Sequence, residues 1–293
     1  NWSDLPTMFD FVFNALHGSQ GENGSVQGAL EMLGLPYNGS SVLTSALCMN
    51  KYKTNQFLTM NGFDVPRHIY VTKREWNTFP KALEKITFPL IVKPHDDGCS
   101  MMVQKVTNNN ELILAVENVL QQKDAVLIEE CIFGMELTVG VIGNESAQAL
   151  PPSQAINNHG ILSIEEKFLP GAGENQTPAP LTSKALLLVQ DTMQKAYTIM
   201  QCKGYARIDC FYQNQEQSLT GKERVVILEI NTLPGLTPAT CLFHQAAEIG
   251  LTPMEFIDTI ITLGIQQHSP TDIAATFTDL LIPKTEKIIQ NLI

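Results

Sequence analysis

Two short segments in the last third of the chain constrain it most. They are Ala206-Arg207-Ile208-Asp209-Cys210-Phe211 and, after the polar stretch 213–223, Val226-Ile227-Leu228-Glu229-Ile230-Asn231. Each mixes apolar and polar side chains at the period of a strand, whose successive residues face opposite sides. The polar stretch between them marks the two as arms of an antiparallel hairpin. Arg207 and Asp209 then share a face, as do Glu229 and Asn231, while Ile208, Leu228 and Ile230 point to the opposite, buried side. Two carboxylates and an amide oxygen in that arrangement suit Mg²⁺, a hard cation that takes oxygen ligands and usually shares them with substrate phosphates. The same alternation also fits a hairpin whose outer face is merely solvated. Directly after come Thr232-Leu233-Pro234-Gly235-Leu236-Thr237, where Pro and Gly set a turn and leave backbone N–H groups able to stabilise an oxyanion.

The rest of the chain supplies an α/β frame for that hairpin. Met8–Leu16 is apolar and strand-like, and Ser25–Leu33 has helical spacing before Gly34, which together predict a βα unit. A helix is expected over Lys51–Met60, stopped by Asn61-Gly62, with extended Val65–Val71 after it. Phe88–Val92, Met102–Val106 and Ala125–Glu129 read as short strands around a helix from Asn109 to Gln121. Then follow a strand at Glu136–Ile142, a polar Gly/Pro-rich loop at Leu169–Pro180, a long helix at Ser183–Gln201, and helices at Cys241–Gly250 and Pro253–Gly264. Thr271–Ile293 is amphipathic and is expected to add another helix. No internal repeat or low-complexity tract interrupts this order.

With 293 residues, 44% of them hydrophobic, the chain can bury the cores of two or three subdomains. Its formal charge of −11 argues against a broad basic surface for nucleic acid or an anionic membrane, though local basic groups can still grip a small phosphate. The six cysteines are scattered without a C-x-x-C pair and sit mostly among apolar neighbours, as reduced thiols of a cytoplasmic protein do. No apolar run is long enough to span a membrane, and no signal-peptide pattern opens the chain. Asn1-Trp2 runs almost directly into the first apolar stretch without a methionine, so upstream sequence is expected to be missing.

The order R-x-D, then L-E-I-N-T-x-P-G-x-T, is similar to the signature of the D-alanine:D-alanine ligases. The resemblance extends to the front of the chain, where His17-Gly18-Ser19-Gln20-Gly21-Glu22-Asn23-Gly24, followed by Val26-Gln27-Gly28, resembles the family's H-G-x-x-G-E-D-G-x-x-Q-G. It runs over roughly residues 8–265 and implies an ATP-grasp fold of three subdomains within the α/β class. These are a partial N-terminal subdomain over 1–50, a central one over 51–136, and a C-terminal one over 137–293 with an extra helix. By resemblance Asp209, Glu229 and Asn231 are the magnesium ligands, two ions being usual and Mn²⁺ an alternative. Arg207 and the Gly235 amide hold the oxyanion of a tetrahedral intermediate, and Thr240 stands where the family uses a serine to hold the second substrate's carboxylate. His17 helps bind the first substrate; from the residues alone it would be a turn histidine with a local partner.

The resemblance also assigns an ATP site between the second and third subdomains. Lys93, ending the apolar run Phe88–Val92, is the expected phosphate contact, and Lys51 and Lys167 match further nucleotide-contacting lysines. Ala125–Ile132 resembles the hinge strand along which adenine lies, with Glu129 near its amino group and Glu136 reaching the ribose. Each glutamate by itself would be read as solvated.

Departures bear on specificity. After Lys93 the chain reads His95-Asp96-Asp97-Gly98-Cys99-Ser100-Met101-Met102-Val103 where the family has G-S-S-x-G-V; Ser100 remains able to close a phosphate-covering loop. Phe168 follows Lys167 where the ligases commonly have tyrosine, so that hydrogen bond is lost. A glutamate of the family's first strand and turn, which orients the first substrate's amino group, has no counterpart. The resemblance implies an ATP-dependent ligase that makes a cell-wall dipeptide from two D-alanines through an acyl phosphate. A ligase for a different amino or hydroxy acid pair and a non-catalytic ATP-binding relative are the alternatives, and a hydrolase built on Cys99 and His95 has little behind it. Family members are commonly homodimers, and the apolar stripe of Ser25–Leu33 fits either an interface or internal packing.

Overall fold

A computed structural model of the chain describes residues 1–76, 87–96, 102–156, 174–237 and 240–268. Ser100, Lys167, Phe168, Cys99 and the tail 271–293 lie outside them. Two antiparallel sheets carry the architecture. The first has β1 (His68–Thr72), β4 (Ala125–Glu130), β2 (Leu90–Pro94) and β3 (Gln104–Val106) side by side in that order. Alternation divides its residues. Val71, Val92, Val106, Val126 and Ile128 turn to one face and pack against Leu112, Ala115, Val116 and Val119 of α6 (Asn109–Gln122). The side chain of Asn108 caps that helix by accepting from the Glu111 amide. All of β4 is buried, so the other face is covered as well.

The second sheet runs β10 (Arg224–Asn231), β9 (Tyr205–Gln213), β5 (Met135–Ile142), β7 (Ser153–Ile156) and β8 (Glu174–Gln176), with the short β6 (Gln148–Ala149) also on β5. On one side, Leu137, Val139 and Val141 of β5 and Ile208 and Cys210 of β9 meet Ala185, Val189, Met193 and Ala196 of α7 (Ser183–Ile199). The helical residues recur at three- and four-residue intervals, which sets them in one stripe. Cys48 of α3 (Val42–Met49) and Leu58 of α4 (Lys51–Met60) complete that core. On the other side lie the polar residues of the hairpin and α8 (Cys241–Glu248), with α9 (Pro253–His268) packed behind.

The N-terminal part is held by α2 (Ser25–Leu33), ended by Gly34 at φ 69°, a left-handed conformation that favours glycine. Its apolar stripe is used internally, Leu30 packing with Leu35 and Tyr37. Short helices α1 (Leu5–Met8) and α5 (Lys73–Trp76) complete the described α-helices.

Several expectations are corrected. Met8–Leu16 is not a strand: among the described residues its only strand-type pairing is one parallel bridge, Val12 to Tyr37, and Leu5–Met8 is helical. Extended Val65–Val71 becomes a regular strand only from His68. Helix α3 and strand β7 carry no strong periodicity and were not anticipated, and the loop Leu169–Pro180 contains β8. Most consequentially, the hairpin is not regular. Ile227 pairs with Cys210, yet Glu229 pairs with Asp209, so Leu228 is an extra residue in a β-bulge. Ile227, not Leu228, joins Ile208 and Ile230 in the core.

Candidate active site

The bulge brings the polar groups together. In an unbroken register Glu229 would oppose Ile208 and turn into the core, because a one-residue slip exchanges the faces of a strand. With the bulge, Glu229 opposes Asp209 and Asn231 opposes Arg207. Across the other edge of β9, Thr138 opposes Asp209 and Gly140 opposes Arg207.

The contacts on this face are predominantly ionic. Arg207 donates from Nε and Nη2 to Asp209 at 3.2 and 3.0 Å and stands 3.8 Å from Glu229. Lys51, the first residue of α4, reaches Glu229 at 3.2 Å. The Thr138 hydroxyl donates to Asp209 Oδ1 at 2.9 Å. Burial by itself pulls the Arg207 pKa down, but the Asp209 and Glu229 carboxylates outweigh it and the guanidinium is held charged above its ordinary value. Burial pushes the Cys241 thiol up to about 11, with Arg207 opposing and Asp209 adding, which sets the start of α8 beside the same pair.

The donor set fits a hard divalent cation. Two carboxylates face one another across adjacent strands, an arrangement that needs positive charge to offset their repulsion, and Lys51 and Arg207 supply it here. Glu229 keeps 28% of its side chain exposed, so an oxygen can exchange a lysine for an ion. Among the described residues no cluster of three His, Cys, Asp or Glu side chains offers an all-protein cage. The Asp209–Glu229 pair suits Mg²⁺, which is commonly held by one or two carboxylates plus substrate phosphates.

The remaining predicted residues lie at several places around this face. Lys93 and Glu129, expected at opposite ends of a nucleotide, are ion-paired with each other at 2.7 Å, and Asn55 of α4 donates to the other Glu129 oxygen at 3.0 Å. Glu136 projects from β5 on the same face as Thr138 and stands opposite Phe211. His17 is brought from the front of the chain: its Nδ1 lies 2.7 Å from Glu22, whose hydrogen bond raises the imidazole pKa, while Arg207 pulls it down. Thr240 precedes α8 and donates its hydroxyl to the Thr237 carbonyl at 2.8 Å. A Cβ built on Gly235 would meet nothing within 4 Å, so this glycine borders open space. Ser100 and Lys167 lie outside the described residues.

Sequence reasoning missed Thr138, Asn55 and Glu22 as members of this region. Thr138 had a signal, since a strand over Glu136–Ile142 puts it on the face of Glu136. Asn55, buried within a helix that is polar over much of its surface, had none.

Two antiparallel sheets joined by the short connection 131–134, in an arrangement that aligns with solved D-alanine–D-alanine ligases, are the ATP-grasp fold. Residues 57–262 match the family model described as the D-ala D-ala ligase C-terminus, and residues 2–40 the D-ala D-ala ligase N-terminus. The D-alanine–D-alanine ligase of Syntrophobacter fumaroxidans is 36% identical over 260 residues, covering 88% of this chain and 81% of its own. The crystal structure of the Bacillus anthracis D-alanine–D-alanine ligase complexed with ATP aligns with a TM-score of 0.77 at 31% identity, over 92% of this chain and 84% of that one. The VanG D-Ala:D-Ser ligase of Enterococcus faecalis aligns with the same TM-score at 30% identity, over 87% and 73%. The chain belongs to the D-alanine–D-alanine ligase family.

Proposed function

We propose that the chain is an ATP-dependent carboxylate–amine ligase that joins two molecules of D-alanine into the dipeptide used for peptidoglycan. The observation that carries this reading is the convergence of Arg207, Asp209, Glu229 and Lys51 on one half-buried face at the end of β9 and β10. The division into 1–50, 51–136 and 137–293 is part of the proposal, with ATP between the second and third parts.

A carboxylate oxygen of the first D-alanine attacks the γ-phosphorus, ADP leaves, and an acyl phosphate forms. The neutral amine of the second D-alanine then attacks the acyl carbon. The tetrahedral oxyanion collapses to the amide and expels phosphate, which takes up the amine's proton. No side-chain nucleophile is needed, and the protein contributes position and charge. Lys51 and Lys93 neutralise the transferring phosphoryl group, and Lys167 and Ser100 are assigned to the same task. Glu129 and Glu136 hold adenine and ribose. Arg207 and the Gly235 amide receive the oxyanion. His17, oriented by Glu22, faces the first substrate, and Thr240 faces the carboxylate of the second. Asp209, Glu229 and Asn231 would hold Mg²⁺, two ions with Mn²⁺ as a substitute, which supplies charge neutralisation for the phosphates.

We place the enzyme in the cytoplasm, where ATP and reduced thiols coexist; no described helix is long and apolar enough to cross a membrane. A homodimer is proposed from the family resemblance, and gel filtration tests it.

The deciding experiment measures phosphate release from Mg-ATP with D-alanine, with the product identified by mass. D-alanine-dependent release with the dipeptide formed supports the reading. The second reading is a ligase that couples D-alanine to another acid. It is favoured by Phe168 after Lys167, where the ligases commonly have tyrosine. Release that requires D-serine or a hydroxy acid would select it.

A further inference from the structure

Gln245 lies on α8, wholly excluded from water, and its side-chain amide makes contacts that a strand would otherwise make. Strand β5 pairs with β7 through Leu137 and Thr138, and with β6 through Val141 and Ile142. The ladder is interrupted between them. Gln245 fills the gap: its Oε1 accepts from the Gly140 amide at 2.7 Å, and its Nε2 donates to the Thr138 carbonyl at 2.8 Å and the Ser153 hydroxyl at 2.9 Å. Leu242, three residues earlier, sits so close to Gly140 that a Cβ there would lie 2.6 Å from it. Helix α8 is therefore docked on β5 at the two residues that face the active-site pair, Thr138 opposite Asp209 and Gly140 opposite Arg207.

The two ends of this link serve different parts of the reaction. At one end Thr138, its carbonyl held by Gln245, donates its hydroxyl to Asp209. At the other, α8 begins at Cys241 directly after Thr240, itself tied to Thr237 of the turn that follows β10. An apolar side chain of similar size would fill the volume and leave the Gly140 amide and Thr138 carbonyl without partners, and buried backbone groups are almost always paired. A short polar side chain would not span the gap.

We propose that Gln245 is a positioning residue that locks the helix receiving the second amino acid to the strand that orients the metal-binding carboxylate Asp209, so that both keep one register. This rests on the ligase reading of the site. It predicts that loosening the link disturbs metal-assisted nucleotide binding and acceptor binding together, while the nucleotide contacts on the first sheet are unaffected.

The test uses the full chain with Gln245→Leu and Thr138→Val, the second of which removes only the hydroxyl on Asp209. ADP binding is measured by calorimetry with and without Mg²⁺, and the KM of the second D-alanine at saturating ATP. In both variants the affinity gained from Mg²⁺ is expected to fall about 10-fold, the lower end of what outer contacts to metal ligands contribute, with metal-free ADP affinity within about twofold of wild type. The acceptor KM is expected to rise about 10-fold in Gln245→Leu and to stay near wild type in Thr138→Val. A Gln245→Leu protein that melts at a lower temperature but keeps the wild-type metal gain and acceptor KM overturns the proposal, as does a wild-type metal gain in Thr138→Val. If the wild-type protein makes no dipeptide, the ligase reading fails, whereas the calorimetric comparison still decides the role of Gln245.

Discussion

The Lys93 ammonium stands 2.7 Å from the Glu129 carboxylate, with only 9% and 3% of the two side chains exposed. The pair sits on the face of the first sheet away from α6, because Lys93 opposes Leu127 and Glu129 opposes Ile91 across β2 and β4. Removing one member of such a pair strands the other in a poorly hydrated site. Lys93→Met is therefore expected to lose about 3 kcal/mol in urea unfolding. Lys93→Met with Glu129→Gln, which keeps an oxygen for Asn55, should regain about 2 kcal/mol of that by removing the stranded charge. Both proteins should bind ATP weakly. Equal stability of the single and double variants would show that the pair is not coupled.

Asp209 is held by Arg207 and Thr138, so its neutral analogue keeps the shape of the site and loses the charge. Asp209→Asn is expected to lower the ligase rate by more than about 100-fold, with a change in melting temperature of only a few degrees. Chelation of divalent cations should abolish wild-type phosphate release, and added Mg²⁺ should restore it. Activity that persists in excess chelator would remove the metal from the proposed mechanism.

His17 and Glu22 give a pH dependence of known sign. The hydrogen bond to Glu22 raises the folded-state pKa of His17 above the ordinary value of about 6.5, with the Arg207 charge acting in opposition. A raised pKa means that the pair stabilises the fold fully below about pH 6.5 and loses this as pH rises through the folded value. The stability difference between wild type and Glu22→Gln should therefore be larger at pH 6 than at pH 9. Denaturant unfolding at the two pH values checks this, and a difference that grows toward pH 9 contradicts it.

Gly140 has no room for a side chain. A Cβ there would lie 2.6 Å from Leu242 Cδ2, 2.8 Å from Gln245 Oε1 and 2.9 Å from Leu150 Cδ1. Gly140→Ala is expected to cost about 1–3 kcal/mol through overpacking and to push α8 off the sheet. The acceptor KM should rise with it. Unchanged stability by thermal unfolding would mean that α8 moves aside freely.

Much of the frame was legible in the residues. Helices α2 and α4 begin and end where periodicity and the following glycine or Asn-Gly place them, and β9 and β10 form the expected hairpin. That Arg207 shares a face with Asp209, and Glu229 with Asn231, was legible because alternation within one strand is a local property. Thr138, Asn55 and Gln245 were not, because each is a neutral polar residue whose partner is more than 70 positions away.

The sequence by itself determined most of the helices, the two strands of the hairpin and, through R-x-D and L-E-I-N-T-x-P-G-x-T, the family. Local covalent geometry and side-chain chemistry are enough for that. Only the tertiary structure decided that Glu229 faces Asp209, since this requires the bulge at Leu228, and a strand's alternation is blind to one inserted residue. It alone paired Lys93 with Glu129, carried His17 to the neighbourhood of Arg207, and placed Gln245 in the gap of β5. The physical reason is that a polar group held out of bulk water finds its partner in space, and the chain separation of that partner leaves no periodic mark.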